Sequence, residues 1–134
     1  MENLLRKHAN DWDMTTARII GAAIEVHRSI GPGLLESAYH ACMEEELKLR
    51  GLEFRREVPI QLNYRGRSLE CGYRVDFVIE GVVVEIKAIE QVQPVHRAQL
   101  MTYLHLLRLP CGLLLNFHSA AMKDGITRVI RTPQ

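Results

Sequence analysis

At 134 residues the chain has room for one domain with a sizeable core and little space for a second module. Apolar residues at 47% and charged residues at 25% describe an ordinary soluble globular protein, and a net charge of +1 gives no global pull toward nucleic acid or a membrane surface. No apolar run nears the roughly 20 residues that span a bilayer, no signal-peptide core is present, and Cys42, Cys71 and Cys111 are odd in number without CxxC spacing, so a reducing cytoplasm fits better than a disulfide or zinc framework.

Residues 1–12 are polar and mixed in charge, the composition of a flexible arm, and residues 1–134 form one domain. A helix is expected from Asp13, capped by Asp13 or Thr15 and carrying the stripe Ile19, Ile20, Ala23, Ile24 and Val26. Gly31-Pro32-Gly33 breaks it, and a second helix follows over about Leu34 to Arg50, with Gly51 as its stop. The period then changes. Val58, Ile60, Leu62 and Tyr64 alternate with polar residues, and Arg65-Gly66 turns the chain into a strand at Arg67–Cys71. Two more strands surround Glu80-Gly81, a third helix fits Pro94 to Leu107, and Gly112–Phe117 and Ile126–Ile130 read as the last strands. The order α-α-β-β-β-β-α-β-β implies an α/β protein, with a mixed sheet flanked by helices.

The stretch Arg74-Val-Asp76-Phe-Val-Ile-Glu80-Gly81-Val-Val-Val-Glu85-Ile-Lys87 carries the strongest chemical signal. With Glu80-Gly81 as the turn, Ile79 faces Val82, and the same register sets Asp76 opposite Glu85 and Arg74 opposite Lys87. Alternation puts Asp76, Glu85 and Lys87 on one face. Opposed carboxylates destabilise a bare sheet, and a bound cation would remove that penalty. Asp76, Glu85 and the main-chain carbonyl of Ile86 offer hard oxygen ligands of the kind magnesium accepts, and Lys87 could stabilise charge on a phosphoryl group. A solvent-facing ladder of Asp, Glu and Lys is the simpler alternative. Val82-Val83-Val84 argues against it, because such a run suits a strand buried on both faces, where unpaired charge is expensive.

Other residues could join this group. His96, Gln99 and Tyr103 share a face of the third helix, although a Tyr there also suits a core boundary. Glu36 lies in the first turn of the second helix, where the helix dipole alone would favour a carboxylate, and it could equally complete a metal site. His27 and Glu25 could line the same space. From Lys48 to Arg74 seven basic residues outnumber three acids, which makes Arg55, Arg56, Arg65, Arg67 and Arg74 either a solvated surface or a phosphate-facing patch.

These residues match a family. Asp76 followed by Glu85-Ile-Lys87 resembles the signature of the PD-(D/E)XK nuclease superfamily. Gln99-Leu-Met-Thr-Tyr103 is similar to the QxxxY motif of its RecB-like branch, and Gly33-Leu-Leu-Glu36-Ser-Ala-Tyr39 resembles the motif of the small GxxExxY proteins. Val75 stands where the superfamily name has Pro. The resemblance implies a restriction-endonuclease-like core, a central mixed β-sheet flanked by helices. It implies Asp76, Glu85, Ile86 and Glu36 as metal ligands, Lys87 as the catalytic lysine, and Gln99 and Tyr103 facing the site.

The expected activity is a Mg2+-dependent nuclease, with Mn2+ as a substitute, that hydrolyses phosphodiester bonds of DNA, or failing that of RNA, through metal-activated water. A homodimer would help so small a chain cover a duplex. The alternative is a non-catalytic module that keeps the fold and binds nucleic acid or a protein through its arginines. Two-carboxylate glycoside hydrolysis fits poorly, since it needs no Lys87 and aromatic residues are only 6%.

Overall fold

Val82-Val83-Val84 lies at the centre of the sheet, and its burial on both faces sets the plan of the molecule. Each of these valines is fully buried, a contribution of about 1.5–3 kcal/mol apiece. The computed structural model describes residues 2–133, and side chains from Trp12 to Pro133. Helix α1 spans Glu2–Ile30 and α2 spans Glu36–Leu49; strand β1 is Phe54–Tyr64, β2 is Arg67–Ile79 and β3 is Val82–Lys87. Helix α3 is Pro94–Leu107, β4 is Cys111–Asn116, a 3-10 turn occupies Met122–Gly125, and β5 is Ile126–Ile130. The five strands lie in the order β1-β2-β3-β4-β5. β3 and β4 run parallel through the α3 crossover, and the other pairs are antiparallel.

Each face of the sheet is covered by a different group of helices. Ile19, Ala22, Ala23 and Val26 of α1 and Tyr39, Met43 and Leu47 of α2 recur at helical spacing and pack with Phe77, Ile79, Val84 and Ile86. On the other face Leu100, Tyr103 and Leu104 of α3 pack with Val58, Ile60, Val75, Val83 and Leu114. This is the mixed sheet with flanking helices that the sequence implied. Among the described residues no helix is long and apolar enough to cross a membrane.

Three local expectations are corrected. The sheet has five strands, because the expected strand at Arg67–Cys71 and its successor are one continuous β2. Gly72, at φ +80°, lets β2 absorb a bulge without ending, and the β1–β2 register shifts there, between Pro59 and Gln61. Helix α1 passes through Asp13 without a break, and Asp13 binds Arg128 of β5 (3.1 Å) where a helix cap was expected. The third correction concerns Arg74, which pairs with Pro59 of β1 and not with Lys87. Both predicted turns are present: Arg65-Gly66 and Glu80-Gly81 each place two successive residues at positive φ, the geometry that matches the twist of flanking strands.

Candidate metal centre at the fork of two strands

The β2–β3 ladder pairs Ile79 with Val82, Val78 with Val83 and Phe77 with Val84, as the turn dictates, and then it stops. The next pair would be Asp76 with Glu85. Side chains replace the main chain at this point. The Asp76 N–H donates to Glu85 Oε1 (2.9 Å), and the Ile86 N–H donates to Asp76 Oδ2 (2.7 Å). Each carboxylate is therefore held by a main-chain donor of the opposite strand, so two like charges sit side by side without their backbones closing on each other. β3 continues against β4 alone, with Lys87 beside Asn116 and the Phe117 N–H donating to the Lys87 carbonyl (2.9 Å). The sheet forks here, which explains why Arg74 never meets Lys87.

Helix α2 supplies the third wall. Glu36 and His40 are one turn apart and share a face. His40 Nε2 lies 3.4 Å from Glu36 Oε1 and 3.6 Å from Asp76 Oδ2, and its ring lies 6.0 Å from that of Phe77 in a stacked orientation. One donor atom from each of Glu36, His40 and Asp76 lies within 4.8 Å of the others. Two carboxylates and an imidazole at this separation fit a single divalent cation. His40 was not foreseen; its spacing of four from Glu36 was the available signal. Glu85, expected as a ligand, stands across the fork from Asp76 and outside this group of three, and Ile86 meets Asp76 through its N–H.

Burial dominates the electrostatics of the fork. Burial raises the Asp76 carboxyl above its usual range, partly offset by the Ile86 N–H and by His40. Glu85, 6% exposed, is pushed up to about 7 by burial and then by the Asp76 charge. Tyr103 reaches the same field from α3: burial, followed by the Glu85 charge, pushes its hydroxyl up to about 12. Gln99 sits one turn before it, half-buried.

The loop before Glu36 is fastened by the last residue of Gly33-x-x-Glu36-x-x-Tyr39. The Tyr39 hydroxyl donates to the Gly31 carbonyl (2.6 Å) and accepts from the Leu34 N–H (3.2 Å), and its ring stacks on Phe117 at 4.6 Å and 15°. Asn116, also unforeseen, fastens the segment after Lys87. It accepts from the Ile89 N–H (3.1 Å) and donates to the Ile89 carbonyl (2.8 Å). Buried side chains that pair with main chain in this way substitute for a missing ladder.

Other expected residues lie elsewhere. His96 accepts the Gln93 N–H (2.8 Å) and caps α3. His27 donates to the Ser119 carbonyl (2.7 Å), and Glu25 pairs with Arg28 (3.3 Å). Arg56 binds Glu44 (2.8 Å) with its guanidinium 5.4 Å from the Phe77 ring centroid, and with Glu36 and His40 it lines an open cleft of about 290 Å³. Arg55, Arg65, Arg67 and Arg74 are exposed. A more spacious depression, about 590 Å³, lies at the Glu80-Gly81 turn without any of the fork's donors, so volume does not mark the site.

No curated protein matches the chain. Among solved structures, the crystal structure of SSO0001 is similar, at 26% identity and a TM-score of 0.51 over 73% of this chain; the chain spans 50% of the length of that one. The family model of the PD-(D/E)XK nuclease superfamily matches residues 13–129, which include the fork, Glu36, His40 and α3. The chain belongs to the PD-(D/E)XK nuclease superfamily.

Proposed function

We propose that this protein is a metal-dependent nuclease that hydrolyses phosphodiester bonds of DNA, with Mg2+ as its ion and Mn2+ as a substitute. The observation that carries this reading is the convergence of Glu36, His40 and Asp76 donors within 4.8 Å, beside Glu85 and Lys87. A divalent ion held by these three, with Glu85 and the Ile86 carbonyl at the same fork, would supply Lewis acidity and offset charge on the scissile phosphate. The chain's own groups do the rest. Lys87, two residues beyond Glu85 on β3, places an ammonium where a phosphoryl oxygen gains charge. Gln99 and Tyr103 orient the phosphate from α3, and Asn116 holds the backbone after Lys87 so that the ammonium stays in place. Arg55, Arg56, Arg65, Arg67 and Arg74 form the phosphate-facing patch, with Arg56 on the cleft wall beside His40.

In hydrolysis a water oxygen bonds to phosphorus as the ester P–O bond breaks, and the departing oxygen takes a proton. The test is cleavage of single-stranded, double-stranded and branched DNA and of RNA, with and without Mg2+ or Mn2+, by wild type, Asp76→Ala and Lys87→Ala. Metal-dependent products in the wild type alone support the reading. Equal activity in all three proteins would remove it, and salt-sensitive binding with no product in either metal would favour the non-catalytic module.

A further inference from the structure

The outer half of the β1–β2 hairpin is an amphipathic ribbon whose apolar face is exposed. Val58 and Ile60 of β1 pack against Leu100, Tyr103 and Leu104 of α3, so the same alternation turns Leu62 and Tyr64 to that face. Their direct partners Leu69 and Arg67 share it. Tyr73 joins the stripe at its inner end, its ring 6.3 Å from that of Tyr103. A row of Tyr103, Tyr73, Leu62 with Leu69, and Tyr64 thus leads from the carboxylate fork to the hairpin tip. Tyr64 is 63% exposed, Tyr73 49% and Leu69 45%, although rows of this kind ordinarily face a core. The opposite face is polar, with Ser68 donating to Gln61 (2.5 Å).

Charge identifies the occupant. Arg65 at the tip and Arg67, the partner of Tyr64, lie along this face, while Arg74 and Glu70, the one acid between Gln61 and Arg74, pair with Pro59 and Gln61 on the polar face. The Arg65 guanidinium lies 5.8 Å from the Tyr64 ring centroid. Exposed rings interleaved with arginines are the combination that binds unpaired bases, by stacking on the rings while the cations track the phosphates. A duplex keeps its bases stacked on one another and has none to offer such rings. We infer that the Tyr64–Tyr73 face of the β1–β2 ribbon is a stacking platform for single-stranded nucleic acid, feeding one strand toward the Asp76/Glu85 fork. This rests on the nucleic-acid reading of that fork and adds strandedness to it.

The experiment is equilibrium binding of the full chain, in EDTA, to a fluorescent oligothymidylate of about 16 nucleotides and to a duplex of equal length, read by anisotropy. The single strand should bind more tightly. Tyr64→Ala and Tyr73→Ala should each weaken it about tenfold, Tyr64→Phe and Tyr73→Phe should not, and Arg67→Ala should lower the salt dependence. Circular dichroism checks that each variant is folded, and Tyr64, on the exposed tip, serves if Tyr73→Ala is not. Duplex binding as tight as single-strand binding, or alanine variants that bind like wild type, overturns the inference. So does a self-association that Tyr64→Ala abolishes without any single-strand binding. Because no metal is present, single-strand binding by a protein that cuts nothing retires the nuclease reading and leaves this one standing. Duplex cleavage indifferent to both tyrosines does the reverse.

Discussion

The two halves of β2 are built alike and behave differently. From Val75 to Ile79 the odd-numbered residues are fully buried; from Arg67 to Arg74 every residue is exposed. Both halves pair with β1 and both carry charge, and at Asp76 the strand changes face, with Val75 packed toward α3 and Phe77 and Ile79 toward α1 and α2. The inner half lies between α2 and α3, which strip water from Asp76 and from Glu85 across the fork. The outer half is exposed along its length, with Tyr73 at its inner end beside Tyr103 of α3. Desolvation makes a carboxylate in the inner half expensive without a cation, whereas an arginine in the outer half costs little and stays available to a ligand.

The largest effect should come from the inner half. Asp76→Ala should lower nuclease activity by about 10³-fold or more while single-strand binding in EDTA stays at the wild-type level, measured by initial rates and anisotropy on the same preparation. If both fall together, the halves are not separable. Glu85 provides the next contrast. Its folded pKa, about 7, lies above the ordinary 4.5, so the folded protein holds more protons than the unfolded chain between those values. The Glu85 contribution to stability without metal should therefore be full below about pH 4.5 and be lost as pH rises through about 7, by on the order of 3 kcal/mol. Glu85→Gln should flatten that slope. Denaturant melts in EDTA across this range decide it, and equal slopes in the two proteins would count against the desolvated fork.

Asn116→Ala should cost about 1–3 kcal/mol, because it leaves the Ile89 N–H and carbonyl without partners; a melting temperature close to wild type would show that the segment after Lys87 holds without it. His40→Ala should weaken Mn2+ binding about tenfold by calorimetry with the fold intact, and unchanged affinity would remove His40 from the ligand set. Tyr64→Ala should change stability by less than about 0.5 kcal/mol. A larger loss would mean that the ribbon is part of the folding unit after all.

The sequence was most informative where a feature depends on residues close together in the chain. Helix α3 runs from Pro94 to Leu107 as its proline and leucine spacing indicated. The Glu80-Gly81 turn set the register through Phe77 and Val84. The fork one step beyond was not legible, since antiparallel pairing extrapolates straight through it, whereas in the fold β3 keeps its β4 partners through Lys87 while its pairing with β2 ends at Phe77. The strand expected at Arg67–Cys71 stops just short of Gly72, where β2 bulges and runs on. His40 and Asn116 were passed over for a related reason: their partners, Asp76 and Ile89, lie 36 and 27 residues away, beyond the reach of spacing.

By itself the sequence determined the alternation that divides each strand between two faces, the turns that set local register, and the acidic and basic side chains held at those positions. These follow from backbone sterics and hydrophobic periodicity, which act over a few residues. The tertiary structure decided which of those side chains lose water and meet. Packing of α2 and α3 on opposite faces brings Glu36 and His40 to Asp76, lifts the Glu85 carboxyl, and leaves the outer hairpin bare. One strand, β2, thereby carries a desolvated carboxylate fork at one end and an exposed aromatic ribbon at the other.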